Sequence, residues 1–119
     1  MKFISYSHND EHKFGILDND LITDLTGKIL GATSLKDLIL KKGIPEAKKY
    51  ASTNPGNLSV NDIKYLPLIP NPGKIICVGL NYSEHVKETN RTVGENPVIF
   101  HRFPESQTAH LQSIQRPIA

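Results

Sequence analysis

The chain predicts an α+β fold: a small N-terminal β-meander with helices, followed by the incomplete start of a second, β-rich unit. Three observations carry this. The first 25 residues hold short β-branched and aromatic runs split by polar turns. Residues from Ser34 read as a capped helix with one apolar face. After a proline-stiffened passage, Lys74-Ile-Ile-Cys-Val78 reads as a buried strand that meets a glycine.

In the meander, Lys2 to Ser7 forms a first strand, His8 to Lys13 a polar turn and Phe14 to Leu17 a second strand. Asp18-Asn-Asp20 is a turn before a third strand, Leu21 to Leu25. His8, Asp10, Glu11 and His12 have the residue types of a metal cluster, but a polar hairpin turn is the commoner use of such a stretch.

The helix is expected over Ser34 to Lys42. Ser34 caps the first turn and Asp37, three residues on, supplies a capping-box variant. Leu35, Leu38 and Ile39 share a face, Lys41 and Lys42 suit the negative end of the dipole, and Gly43 supplies a left-handed stop. Pro45 suits the first turn of a short helix through Tyr50, and Asn54-Pro-Gly-Asn57 is a turn. Pro67, Pro70 and Pro72 mark a junction, so the expected organisation is a small domain over residues 1–66, a linker over 67–73 and a second unit over 74–119. Pro97 to Phe100 is a further short strand, and the tail from His101 is loop with room for one more strand.

Composition excludes several classes. A chain of 119 residues can bury roughly two thirds of its unfolded surface, so a core is possible. Hydrophobic residues at 38% and charged residues at 22% argue against global disorder. The net charge of +2 is too small and scattered for a nucleic-acid groove, and Lys41, Lys42, Lys48 and Lys49 read as a solvated helix face. No apolar run approaches the roughly 20 residues of a membrane span, and the N-terminus lacks a signal-peptide pattern, so the expected location is cytoplasmic. Cys77 is the single cysteine and is expected as an inert core residue.

Backbone geometry and titratable chemistry converge in Lys74 to Glu88. The strand runs through Gly79 into a polar helix that starts at Asn81 and Tyr82 and carries His85 and Glu88. An i, i+3 pair shares a helix face, so the carboxylate can hold one imidazole nitrogen and leave the other free to take a proton. A solvent-exposed helix pair is the competing reading of those two residues.

Pro72-Gly-Lys-Ile-Ile-Cys-Val-Gly-Leu-Asn-Tyr-Ser-Glu-His-Val-Lys-Glu88, followed by Asn96-Pro-Val-Ile-Phe100, resembles the fumarylacetoacetate hydrolase family. Phe103-Pro-Glu-Ser-Gln-Thr-Ala-His110 looks like one branch of it, and the N-terminal meander resembles the small domain that precedes the catalytic domain in many members. The resemblance implies a β-rich catalytic roll, usually dimeric, that acts on small oxo-acids by C–C cleavage, decarboxylation or isomerisation with Mg²⁺ or Mn²⁺ as Lewis acid.

Carried over by position, the resemblance makes His85 a general base and Glu88 its orienting partner. Gly79 lets the backbone approach substrate, Asn81 and Tyr82 shape the pocket entrance, and Arg102 holds a substrate carboxylate. Glu84 stands where one branch has an additional acidic metal ligand. The E-x-E motif and later aspartate that hold the ion in relatives have no counterpart in these 119 residues, and Asp18-Asn-Asp20 belongs to a turn of the small domain. The chain by itself is therefore expected to bind no ion and to be inactive. Ala109 and Leu111 stand where that branch has glycines; if the backbone there needs positive φ, leucine costs roughly 1 kcal/mol or more.

Two function classes follow. One is the N-terminal part of a metal-dependent oxo-acid enzyme, whether as a fragment or as a shortened gene product. The other is a non-enzymatic remnant or an interaction module that self-associates, with the strand from Lys74 to Val78 as an unpaired edge. A homo-oligomer is compatible with both, and neither calls for a nucleic acid or a membrane.

Overall fold

The structure is a computed structural model and describes residues 1–79, 88, 96–116 and 118. Its class is α+β, as the sequence predicts. Seven strands and two α-helices lie wholly within the described residues: β1 (Lys2–His8), β2 (Glu11–Asp18), β3 (Leu21–Asp24), α1 (Leu35–Leu40), α2 (Ile44–Thr53), β4 (Leu58–Ser59), β5 (Lys64–Leu66), β6 (Ile75–Gly79) and β7 (Val98–Arg102). The chain divides into two compact units, residues 1–70 with 107–119, and residues 71–106.

The first unit is a five-stranded antiparallel sheet in the order β4-β3-β2-β1-β5. Register sorts its side chains. Phe3 faces Ile16 and Ser5 faces Phe14 on one side, while Ile4 faces Gly15 and Tyr6 faces Lys13 on the other. The first face packs on the helical layer, with Phe14, Ile16, Leu25, Ile29, Leu35, Leu38, Ala47 and Ala51 in one buried cluster. The second face buries Ile4, Tyr6 and Ile22 under Leu17, Leu58, Val60, Ile63 and Tyr65. Buried polar groups on the helical side are satisfied: Ser5 Oγ donates to Leu68 O at 2.7 Å and Thr23 Oγ1 to Asn54 O at 3.0 Å.

The predicted meander is present, but its first turn is much tighter than the sequence suggests. Only Asn9 and Asp10 form the turn, at φ 52° and 61°, and the ladder runs out to the His8–Glu11 pair. Positive φ at both central residues gives a twist that suits a two-residue hairpin, and Asn and Asp tolerate it. The pairing places His8 opposite Glu11 and His12 opposite Ser7, so the two histidines lie on different faces.

In α1, Ser34 Oγ accepts from the Asp37 amide at 3.1 Å, while Asp37 Oδ2 accepts from the Thr33 amide at 3.2 Å. The reciprocal carboxylate bond thus lands one residue earlier than in the usual capping box. The C-terminus corrects the sequence reading. Gly43 N–H donates to Leu38 O at 2.9 Å and Lys42 N–H to Ile39 O at 3.0 Å, a Schellman closure with Lys42 at φ 56° as the left-handed residue. Gly43 serves packing instead: a Cβ there would stand 2.7 Å from Leu38 Cδ1, so the buried Leu38 side chain would have to shift. Ile39 is also corrected, since at 50% exposure it lies off the buried face that Leu35 and Leu38 form. The second helix runs to Thr53, beyond the expected Tyr50, and seats Ala47 and Ala51 one turn apart in the core.

The second unit holds the antiparallel ribbon β6–β7, paired from Ile75–Arg102 to Gly79–Val98. The strand from Lys74 pairs with β7 along one side, and among the described residues no strand pairs its other side. Nor is it buried: Ile76 is 67% and Val78 50% exposed, and Cys77 is only partly covered. Beyond His101 and Arg102, which complete β7, the tail makes no strand among its described residues. Residues 107–112 instead join the first unit. Gln107 Nε2 donates to Ile69 O at 3.3 Å, Gln112 Nε2 to Tyr65 O at 3.0 Å, and the His110 ring meets the Tyr65 ring edge-on at 5.0 Å. The sequence reading places these residues with the second unit, because backbone-to-side-chain tethers of this kind leave no periodic pattern.

Candidate functional site

The candidate residues that the structure describes are Gly79, Glu88 and Arg102; Asn81, Tyr82, Glu84 and His85 lie outside the described residues. Gly79 closes β6 and Arg102 closes β7, at opposite ends of the same ribbon. Four ladder steps separate them, roughly 13 Å. The two-residue alternation nevertheless puts both on one face, with the Cys77–Phe100 pair between them. Ile76, Val78, Ile99 and His101 occupy the opposite face. Glu88 is helical and exposed.

Gly79 does not carry a positive φ, and a Cβ there would meet Val98 and Phe100 side chains at 3.4 and 3.5 Å, ordinary contact. Within the ribbon its bareness leaves backbone open on the Arg102 face; no local packing demands glycine.

Arg102 is exposed but held. Its Nε donates to Ser106 Oγ at 3.1 Å and its Nη2 to Ser106 O at 2.6 Å. Ser106 is held in turn: its hydroxyl donates to Phe103 O at 2.6 Å and its amide to the same oxygen at 3.0 Å, within the 3₁₀ turn Pro104–Ser106. The proline at the first position of that turn favours its backbone angles. Sequence reading missed Ser106, although an arginine followed four residues later by serine across a proline turn was a readable signal. The ring of Phe103 stands edge-on to that of His101 at 5.7 Å.

Among the described residues, no three His, Cys, Asp or Glu side chains come together as a cation would require. The described residues thus do not fit the divalent ion that the family resemblance implies. Among the described residues, the titratable groups with shifted pKa values lie in the first unit. At Asp24 burial pushes the carboxyl up, but the Thr26 amide and hydroxyl, the Tyr6 phenol and Lys28 outweigh this and hold it below the ordinary range. Burial, then the Asp24 charge and hydrogen bond, push the Tyr6 phenol far above its usual value. This network ties the sheet together.

A cavity of about 400 Å³ does open in the first unit, against Phe3, Leu17, Tyr65, Leu68, Ala109 and His110. Of the predicted site residues that are described, Gly79, Glu88 and Arg102, none lines it. Among the described residues no helix is long and apolar enough to cross a membrane.

No family model matches the chain. Oxaloacetate tautomerase fahd2, mitochondrial, of Xenopus laevis is 36% identical over 77 residues, 65% of this chain and 24% of that protein. Oxaloacetate tautomerase Fahd2a, mitochondrial, of Rattus norvegicus is 40% identical over 57 residues, 48% of this chain and 18% of that protein. An uncharacterized protein of Staphylococcus aureus strain USA300 is 28% identical over 128 aligned positions, 91% of this chain and 42% of that protein. The chain thus spans less than half the length of these curated relatives. A fumarylacetoacetate hydrolase domain-containing protein 2 homolog of Dictyostelium discoideum, 40% identical over 47 residues, 40% of this chain and 15% of that protein, adds to the same group.

Proposed function

We propose that this chain, whose similarity to the N-terminal portion of fumarylacetoacetate hydrolase family proteins is shown by those relatives, is part of an enzyme acting on a small oxo-acid. The proposed substrate is an oxo-dicarboxylate of the oxaloacetate type, and the proposed reaction is isomerisation, because two relatives are named oxaloacetate tautomerases. That naming, joined to the Gly-x-Asn-Tyr-x-x-His-x-x-Glu spacing of Gly79 to Glu88, is the observation that carries the reading.

In this reading His85 takes a proton from the carbon beside the carbonyl, and the proton is returned to the carbonyl oxygen as the enol forms. Glu88 orients the imidazole and stabilises its charged form. Arg102 holds one substrate carboxylate, and Gly79 lets the backbone approach the substrate. Asn81 and Tyr82 shape the entrance. The Mg²⁺ or Mn²⁺ that the family resemblance implies would need carboxylates beyond the described residues, with Glu84 as a minor contributor. No step is assigned to the ion. A cytoplasmic location and a homodimer belong to the same proposal.

The test is an assay of enol formation from oxaloacetate. The 119-residue chain with Mg²⁺ or Mn²⁺ is expected to show no turnover. A longer product of the same reading frame, carrying a Glu-x-Glu motif and a later aspartate, is expected to turn over and to lose activity in His85→Ala. Turnover by the 119-residue chain that His85→Ala abolishes overturns the idea that the ion's ligands lie elsewhere. An inactive longer product overturns the enzyme reading.

A second reading is favoured by one observation: the ribbon exposes Ile76, Val78, Ile99 and Phe100. As a non-enzymatic module, the chain would bury that apolar surface by self-association.

A further inference from the structure

An arginine guanidinium offers five N–H donors in two forks, one along its Nε–Nη2 side and one at its Nη1–Nη2 end. At Arg102 the side fork is fully engaged by a single residue, with Nε on Ser106 Oγ and Nη2 on Ser106 O. Ser106 cannot swing away, because its hydroxyl and amide are both tied to Phe103 O. Among the described residues nothing engages the end fork, and Arg102 is exposed.

We propose that Ser106 is a positioning residue that fixes the guanidinium of Arg102, so that its end fork is presented to one carboxylate of a dicarboxylate ligand. This rests on the carboxylate role proposed above for Arg102 and adds what sets its geometry. A free arginine side chain must lose rotamer freedom when it clamps a carboxylate; one already held has less to lose. The fork also matches the two oxygens of a planar carboxylate, which a lysine ammonium in its place would meet only as a point charge. Serine at 106 supplies both acceptors, one from its side chain and one from its backbone. The side-chain half can be removed by substitution without touching arginine.

The experiment titrates the 119-residue chain with malonate and follows the backbone amide resonances of residues 98–106 by NMR, which every variant retains. Ser106→Ala is expected to weaken malonate roughly threefold to tenfold, Ser106→Thr to restore most of the affinity, and Arg102→Ala to abolish the response. Arg102→Lys tests the same geometry without disturbing Ser106 and is expected to lose about as much as Ser106→Ala. If Arg102→Ala loses malonate while Ser106→Ala binds as wild type, or Ser106→Thr fails to rescue, the positioning role is overturned and the clamp stands. If Arg102→Lys binds as wild type, the fork geometry is overturned. If malonate does not bind, or Arg102→Ala changes nothing, the clamp reading fails and the positioning role falls with it.

Discussion

Tyr6 donates its phenolic hydrogen to Asp24 Oδ1 at 3.1 Å and so ties β1 to β3 across the intervening strand β2. Gly15, which faces Ile4 on one side and Asp24 on the other, has no side chain to obstruct that face. Asp24 also accepts from the amide and hydroxyl of Thr26 at 3.1 and 2.9 Å and lies 3.5 Å from Lys28 Nζ.

Tyr6→Phe is therefore expected to destabilise the first unit by about 1.5–3 kcal/mol, the range for a hydrogen bond to a charged group. The loss should depend on pH. Asp24 has a folded pKa below its unfolded one. Its contribution is present above the unfolded pKa and disappears as pH falls through the folded pKa. Urea unfolding at pH 7 and again in strong acid checks both points. The gap between wild type and Tyr6→Phe should narrow in acid; a gap that stays constant would mean the phenol matters for packing alone.

Lys42→Gly should stabilise the chain by up to about 1 kcal/mol. Lys42 closes α1 in the left-handed region at φ 56°, where glycine pays no Cβ penalty. The gain is partly offset by the greater freedom of glycine in the unfolded chain. Leu111, at φ 62° and strongly exposed, calls for the same test, and Leu111→Gly should also stabilise. Thermal melts of both variants decide it, and a lowered melting temperature in both would refute the strain argument.

Gly56→Ala should act in the opposite direction. A Cβ at Gly56 would come within 2.6–2.8 Å of the backbone of Ile22 on β3. Backbone cannot move aside as a side-chain tip can, so a cost of about 1–3 kcal/mol is expected. Gly73, with nothing near its Cβ position but φ 82°, is the control that separates steric from conformational cost.

These cases show what was legible in the sequence and what was not. The meander, the Ser34 cap and the strand after Pro72 follow from local patterns, because turn chemistry and alternation act over a few residues. The role of Gly43 was misread, since the closing residue of a helix and the residue that must be small for packing are adjacent and both attract glycine. β4 and β5 escaped notice at two and three residues, too short to alternate. The exposure of the ribbon was invisible because an apolar run reads as buried whatever covers it. At the candidate site, Gly79 and Arg102 were named from the family spacing. Their shared face and the hold of Ser106 on Arg102 needed the register of β6 against β7.

That exposed ribbon supports the last prediction. Ile76, Val78 and Ile99 form a contiguous apolar face, 67%, 50% and 57% exposed. Such a face in water favours association, by roughly 25 cal/mol for each Å² of apolar area it buries. The 119-residue chain is expected to sediment as a concentration-dependent oligomer, and Ile99→Lys to shift it to monomer, because a buried unpaired ammonium at the centre of the contact is costly. The far-UV circular dichroism of the variant should stay unchanged, since Ile99 already faces solvent within one copy. A wild-type chain that sediments as monomer at all concentrations would remove the support for the self-association reading and leave the enzyme reading alone.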